Sequence, residues 1–525
     1  MRSCFTRTRL AALACALMVS ACGDDDSRET FAQPEELRSQ GGELRTTFTV
    51  ADTPVTVAGR TVRTTVYNGQ FMPPLLRVKP GDTIYLNLSN QSADPTNEHY
   101  HGLNVSPRIN DDATISDNIL VRAEPGSQLN YKIVIPADHN PGLYWYHAHL
   151  HGMAERQIMG GLSGGLIIEG VLDPFPELRG IRERVFLLKD IQITSQGTLP
   201  DEIDPGADTN RTINGISQPT LRLDEGELQF WRFANIGADM YYRLKLEGVT
   251  FYELARDGNR HNQLVEMTEL LLPPGSRSEV LVRGGVQGNY ELQTLAFDTG
   301  PEGDQYDADV LARVETRSTS APQLSLPSSL PAVEDYRTLP VARRRVITFL
   351  DGPDNTFLVD SGAGPKQFDP NIVDSTIVSG TVEEWTINNA SAELHVFHIH
   401  QTDFQVTEIN GAAQPFTGHL DNVNVPFQPD DASPAGQVKV LIDFRNPNIV
   451  GKFVYHCHIL EHEDGGMMSL AEVVRPPGML SSATPPQSRS PVDRDVLLNT
   501  LNAFQSGSLC EAKPPRRRAA LWALR

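Results

Sequence analysis

The sequence predicts an all-β protein assembled from three similar domains, and three observations carry that expectation. At 525 residues the chain is too long for one hydrophobic core, and its length corresponds to about three domains. With 41 Gly, 37 Pro and few long helix-forming runs, the composition favours short strands joined by many turns. A ten-residue pattern then occurs three times, at 81–90, 226–235 and 380–389. Each copy opens on a glycine (Gly81, Gly226, Gly380), runs through an alternating strand and closes on an asparagine (Asn90, Asn235, Asn389). The glycines are 145 and 154 residues apart, a period sized for domains rather than for a solenoid. The first two copies also share an upstream turn, Asn68-Gly69 and Asn214-Gly215, each followed by a proline, Pro73 or Pro219.

Taken from the N-terminus, Arg2, Arg7 and Arg9 precede an apolar run over 10–21 that is too short to remain as a membrane span. This is the pattern of an export signal. Val19-Ser20-Ala21-Cys22 resembles a bacterial lipobox, so residues 1–22 are expected to form a lipoprotein-type signal and Cys22 to carry lipid that tethers the chain to a membrane face. The polar, charged stretch 23–44 reads as a linker. The three domains are placed at 45–171, 180–316 and 340–476, with Pro174 and Pro176 at the first junction and the Ser/Pro-rich stretch 318–331 at the second. Beyond them, 477–525 reads as a tail with one short helical pattern over 492–504 and a basic run at Arg516, Arg517 and Arg518.

The charge balance, 45 Lys+Arg against 66 Asp+Glu for a net of −21, repels phosphate backbones and argues against nucleic acid as a partner. Cysteine usage excludes a disulfide framework. With Cys4 and Cys15 expected to leave with the signal and Cys22 expected to be acylated, Cys457 and Cys510 remain. In an oxidising compartment, a cysteine between His456 and His458 is better protected by a metal than left free.

Ten of the fourteen histidines fall into four clusters, all in the first and third domains; the middle domain holds only His261. His99 and His101 form a His-x-His pair, as do His147 and His149, and that spacing puts two imidazoles on one face of a strand. In the third cluster His398 and His400 share a face, while His395, three residues earlier, points the other way. If 453–457 is a strand, His456 and His458 likewise face opposite to Cys457. Parity alone therefore yields two groups. His395, Cys457, His462 and Met467 offer two imidazoles, a thiolate and a thioether, the donor set of a copper electron-transfer centre. The other eight imidazoles suit about three metals with open coordination positions.

These motifs, with the threefold repeat, resemble those of three-domain, laccase-like multicopper oxidases over about 45–476. The resemblance implies three cupredoxin-like Greek-key β-sandwich domains, the middle one without copper ligands, and four coppers per chain. It implies that His395, Cys457 and His462 bind the type 1 copper with Met467 axial. His99 and His398 would bind the type 2 copper, His101, His147 and His458 one type 3 copper, and His149, His400 and His456 the other. It further implies one-electron oxidation of a reducing substrate of phenol or aromatic amine type, coupled to reduction of O2 to water. Protons are relayed in this family by an acid after the last type 1 histidine, here Glu463, and by one downstream of the first motif, where Asp111, Asp112 and Asp117 are all candidates.

The chain departs from the family pattern at Tyr100, where Trp is usual, at Val396, where Pro is usual, and at Gln401, where Gly is common. None of these removes a ligand. His139, His261 and His419 read as surface or satisfied structural imidazoles, and His151 as incidental or as a neighbour of the ligands. Alternatives within the same fold are a cuprous-ion oxidase, for which the 10 Met form no cluster apart from Met467-Met468, and a copper-free multicopper-like protein. A single-cupredoxin electron carrier would leave the eight further imidazoles without a task. A monomer is expected, with O2, a small-molecule or metal-ion reductant and the membrane as partners.

Overall fold

The structure is a computed structural model that describes residues 30–476 except 202, 205, 319–323 and 431. The expected signal, lipidated Cys22, Cys510 and the C-terminal tail lie outside the described residues. Three pairs of packed sheets follow one another along the chain, each pair enclosing an apolar interior.

The repeated motif supplies a pairing pattern common to all three. Thr83–Asn90, Leu228–Asn235 and Val382–Asn389 are its strands. Each pairs in parallel on one side, with Glu43–Val57, Arg182–Ile191 or Val341–Asp351. On the other side each pairs antiparallel, with Gln128–Val134, Arg277–Arg283 or Gly436–Asp443. The leading glycines have φ of 91°, 73° and 90°, a turn conformation that costs a side-chain-bearing residue strain. The closing asparagines are buried, and each side-chain amide donates to two backbone carbonyls: Asp94 and Ala123, Met240 and Leu272, Glu393 and Val425. Gly and Asn recur because the strand needs a turn at one end and internal partners for nearby loop carbonyls at the other.

The linker expected over 23–44 is corrected in its described part. Phe31 packs into the middle domain's core against Phe186, with ring centroids 5.0 Å apart, and Glu36–Arg38 pairs in parallel with Leu75–Val78. Polar composition concealed this because Glu36 finds a partner in buried Arg77, at 2.7 Å, rather than in solvent. Among the described residues no helix is long and apolar enough to cross a membrane.

Two short helices border the histidine strands. Ala154–Gly160 comes after the second His-x-His pair, and Leu460–Asp464 after the strand Gly451–Cys457. Their N-termini are held from outside: Asp464 accepts from Ala154 N–H and Glu155 N–H, and Asp239 of the middle domain accepts from Leu460 N–H and Glu461 N–H. A carboxylate bonded to free N–H groups at a helix start is stabilised by hydrogen bonding and by the helix dipole.

Candidate metal centres

The histidine strands pair so that their side chains converge. His99–His101 lies antiparallel to Gly142–His147 with His99 opposite His147, and His395–Ile399 lies antiparallel to Gly451–Cys457 with His398 opposite His456. The two pairs meet across the boundary between the first and third domains. There His99 stacks on His400 at 3.9 Å between ring centroids and His101 on His398 at 4.0 Å, a near-symmetric face-to-face arrangement.

Four groups of potential ligand atoms result, each with its atoms within 4.8 Å of one another: His99, His101 and His398; His101, His147 and His458; His149, His400 and His456; and His395, Cys457 and His462. All the residues in these groups are buried. The parity expected from sequence holds at the junction. Cys457 faces His395 and His462, with Sγ 3.7 and 3.6 Å from their Nδ1 atoms, while its neighbours His456 and His458 face the other groups. His462 is not on the strand; the helix Leu460–Asp464 brings it back to Cys457. Met467 is buried, its N–H donates to His462 O and its carbonyl accepts from Cys457 N–H, so the three residues form one tight loop.

Electrostatics show what the groups require. His147, His398 and His456 turn Nδ1 to the carbonyls of Ala148, Asp421 and Cys457 at 2.9, 2.7 and 2.8 Å, which places their protons on Nδ1. Each then presents a bare Nε2 inward. His456 Nε2 lies 3.3 Å from His149 Nε2 and 3.2 Å from His400 Nε2, while the Nε2 atoms of His99, His147 and His398 are buried without a partner. Converging lone pairs sealed from water repel unless a cation sits among them. In the thiol group, His395 Nε2 lies 2.6 Å from Ser391 Oγ and His462 Nε2 lies 3.3 Å from Glu393 Oε1. That leaves two Nδ1 atoms 3.0 Å apart facing Cys457, whose thiol burial pushes up. A soft cation fits this donor set, and the residues present suit copper at all four groups.

Burial also lowers the imidazole pKa values, to about 3 for His147 and about 4 for His456 from 6.5. Between those limits the unfolded chain binds more protons than the folded one. Stability is therefore full above the unfolded value and falls as pH drops from 6.5 toward 3, each such imidazole contributing up to roughly 1.4 kcal/mol per pH unit. The buried carboxylates Asp117, Glu393 and Glu463, whose pKa values are raised, act in the opposite sense over the same range, so the imidazole share is the part of the pH dependence that metal binding removes. Between pH 7 and about pH 5 the urea midpoint of the metal-free chain is expected to fall relative to that of the copper-loaded chain, and a gap between the two that stays constant with pH would contradict the buried, neutral imidazoles.

Of the three candidate acids downstream of the first motif, only Asp117 reaches the site. Its Oδ1 lies 3.0 Å from His99 Nδ1 and accepts from Tyr100 N–H, and Oδ2 accepts from Gln401 Nε2 at 2.7 Å. Burial pushes it up to about 7, against those hydrogen bonds. Asp111 is exposed, and so is Asp112, which is a turn residue bonded to Thr114 and Lys132. Gln401 has φ +66°, which explains why glycine suits this position, and its amide holds the acid. Glu463 is fully buried, with Oε1 3.4 Å from His149 Nδ1 and Oε2 3.6 Å from His456 Nδ1; burial, then Asp464 and Asp239, hold it well above the usual carboxylate range.

The other histidines lie apart. His139 accepts from Asn104 N–H, His261 pairs with Glu253 at 3.0 Å, His419 faces the Glu334 carbonyl, and His151 is exposed beside Phe368. The first three are buried rather than on the surface. Residues that sequence reasoning missed are Arg277, Asp421 and Asn422 around His101, and Glu393 and Asp351 beside the thiol group. No motif marks them, because they approach from four separate segments: Arg277, Asp351, Glu393 and the adjacent pair Asp421 and Asn422.

Residues 49–172 and 338–476 each match a domain family described as multicopper oxidase, and together they span half of the chain. Over 424 residues the chain is 26% identical to the multicopper oxidase mco of Staphylococcus aureus, covering 78% of this chain and 83% of that one. It is also 26% identical over 423 residues to the cell division protein FtsP of Escherichia coli, covering 76% and 83%. Among solved structures it is similar to a multicopper oxidase from Campylobacter jejuni described as a metallo-oxidase (TM-score 0.73, 24% identity, 86% and 96% covered). It is also similar to the McoA multicopper oxidase from Aquifex aeolicus (TM-score 0.73, 22% identity, 85% and 99% covered). At those identities the structures speak for the fold.

Proposed function

The chain belongs to the multicopper oxidase family and is an oxidoreductase that uses O2, and on that premise we propose that it couples oxidation of a phenol or aromatic amine beside Cys457 to four-electron reduction of O2 among the eight imidazoles. The residues that would hold copper are His395, Cys457, His462 and Met467 for type 1; His99 and His398 for type 2; and His101, His147 and His458, with His149, His400 and His456, for the two type 3 ions. The observation that carries this reading is the set of buried, unpaired or mutually facing imidazole nitrogens standing back to back with one buried thiol. Copper, when bound there, supplies the one-electron oxidation of the reductant and the reduction of O2 to two waters.

The chain's own residues do the rest. His462, 3% exposed where His395, Cys457 and Met467 are at 0%, is the member of the thiol group nearest to solvent, and it is the edge at which we place the reductant. Cys457 is joined through backbone to His456 and His458, so a covalent path links the two reaction sites while the protein between them excludes water. Glu463, kept protonated by burial, holds a proton on its carboxyl group against His149 and His456, and Asp117 holds one near neutral pH beside His99. Both are positioned as general acids for oxygen reduction.

A cuprous-ion oxidase is the second reading, and one observation favours it. Glu393 faces His462 at 3.3 Å and Asp351 faces His395 at 3.6 Å. Burial, then Asp351, Glu461, Asp304 and Glu302, push Glu393 up to about 9, so acidic groups surround this edge and favour a cation there. Copper analysis with visible and EPR spectra, followed by oxygen uptake with a phenol and with Cu(I) in parallel, tests both. About four coppers and a blue band are expected; a colourless chain that consumes no oxygen would end the oxidase reading, and uptake with Cu(I) alone would favour the second.

Met467→Leu is expected to raise the type 1 potential, because a thioether ligand stabilises the oxidised ion more than an alkyl group does. Redox titration of the blue band checks this, and an unchanged or lower potential would pass the axial role to Met468. Export and attachment through lipidated Cys22 belong to the same proposal, and mass spectrometry of the mature N-terminus tests them.

A further inference from the structure

Arg277 lies on the strand Arg277–Arg283 of the middle domain, which contributes no imidazole to the four groups, yet its guanidinium is fully buried against the site. Every nitrogen of that guanidinium is engaged. Nε donates to Leu143 O of the first domain at 3.2 Å and Nη1 to Gly275 O at 3.1 Å. Nη1 and Nη2 donate to Asp421 Oδ1 and Oδ2 of the third domain at 2.7 and 2.6 Å, a two-pronged ion pair. Burial opposes the charge, but Asp421 and Asp257 outweigh it and keep the guanidinium protonated.

Asp421 in turn touches two of the imidazoles. Its backbone carbonyl lies 2.7 Å from His398 Nδ1, and its Oδ1 lies 3.4 Å from His101 Nε2, with Asn422 Nδ2 bridging Oδ1 at 2.9 Å and the same Nε2 at 3.2 Å. These contacts leave His398 Nε2 and His101 Nδ1 to face inward, the latter 3.2 Å from His458 Nε2. The fit is close on both sides. A Cβ on Gly102, the glycine of His99-Tyr100-His101-Gly102, would stand 2.5 Å from Arg277 Nη2 and 2.7 Å from Asp421 Oδ2, and one on Gly275 would stand 2.8 Å from His458 Nε2.

We infer that Arg277 is a positioning residue for the three-copper site: its fork clamps Asp421, and Asp421 sets the orientation and the inward-facing nitrogen of His398 and His101. The inference rests on the proposed copper assignment and adds that the ligand-free middle domain governs one ligand of the type 2 position, His398, and one of the neighbouring type 3 position, His101, of which the type 2 ion, with only two imidazoles, depends on it more. Arg rather than Lys is required, since only a planar fork holds both carboxylate oxygens at once.

The test compares copper-loaded wild type with Arg277→Met and Arg277→Lys by copper analysis, the type 1 blue absorbance and the type 2 EPR signal, without reference to turnover. For Arg277→Met the expected result is loss of about one copper per chain and of the type 2 signal with the blue band kept, since loss of an outer partner weakens metal binding by roughly 10–100-fold. Arg277→Lys, which keeps the charge, is expected to retain part of the type 2 signal with altered hyperfine splitting, and it decides the matter if the Met variant does not fold. Wild-type copper content and EPR parameters in the variants would overturn the inference. So would a parallel loss of type 1 and type 2 copper, which is what a merely structural role produces. Failure of the copper assignment itself would show in the wild-type chain, failure of the inference only in the variants.

Discussion

Cys457→Ser is expected to abolish the blue absorption and to lower reductant-driven oxygen uptake by more than the roughly 10–100-fold that losing an outer partner of a metal costs. The reason lies in the donor. A thiolate gives the type 1 ion its colour and its tuned potential, and a serine hydroxyl, with a far higher pKa, supplies neither. Serine is nearly the same size, and at this buried position its oxygen can still accept from Val396 N–H, which lies 3.4 Å from Sγ. The fold and the imidazole groups should therefore survive, and the type 2 EPR signal should persist in the colourless variant. Visible and EPR spectra with oxygen uptake check the three points; a blue Cys457→Ser protein would remove Cys457 from the type 1 set.

Glu463→Gln is expected to keep the blue band but to slow reoxidation of the reduced protein by O2 by roughly 10²–10⁴-fold, the usual worth of a general acid. Glutamine preserves the volume between His149 and His456 and carries no acidic proton. The direction of the pH effect follows from the role: a general acid acts in its protonated form, and that form is lost as pH rises through its pKa. Wild-type reoxidation should thus decline on the alkaline side, whereas the variant is slow throughout. Stopped-flow measurement separates the two half-reactions. Reduction of the type 1 site by a phenol should match wild type, and reoxidation at an undiminished rate would take Glu463 out of the proton path.

How far such roles are legible in the sequence varies with how local their cause is. The Gly-to-Asn motif was legible because one strand contains both its turn and its capping amide, as at Gly226 and Asn235. The split of Cys457 from His456 and His458 was legible for the same reason, since neighbouring strand residues face opposite ways. Parity grouped His462 with Cys457 from sequence, but the physical cause is different: the helix Leu460–Asp464, not strand alternation, carries it back to the thiol. Choosing Asp117 over Asp111 and Asp112 required the tertiary structure, since all three are acidic residues in one loop and only contact with His99 and Gln401 distinguishes them. The stretch 30–44 looked like linker because the partners of Phe31 and Glu36 lie in other parts of the chain.

By itself, then, the sequence determined the all-β class, the threefold repeat, the imidazole and thiol inventory and the facing of each donor along its own strand, all of which rest on local backbone periodicity. Only the tertiary structure decided which of the candidate acids stands beside the donors, and that Arg277 of the ligand-free domain clamps Asp421 against His398 and His101. Those relations depend on how three domains pack. That packing is set by buried pairs such as Arg277–Asp421, whose partners are 144 residues apart in the chain and carry no periodic signature.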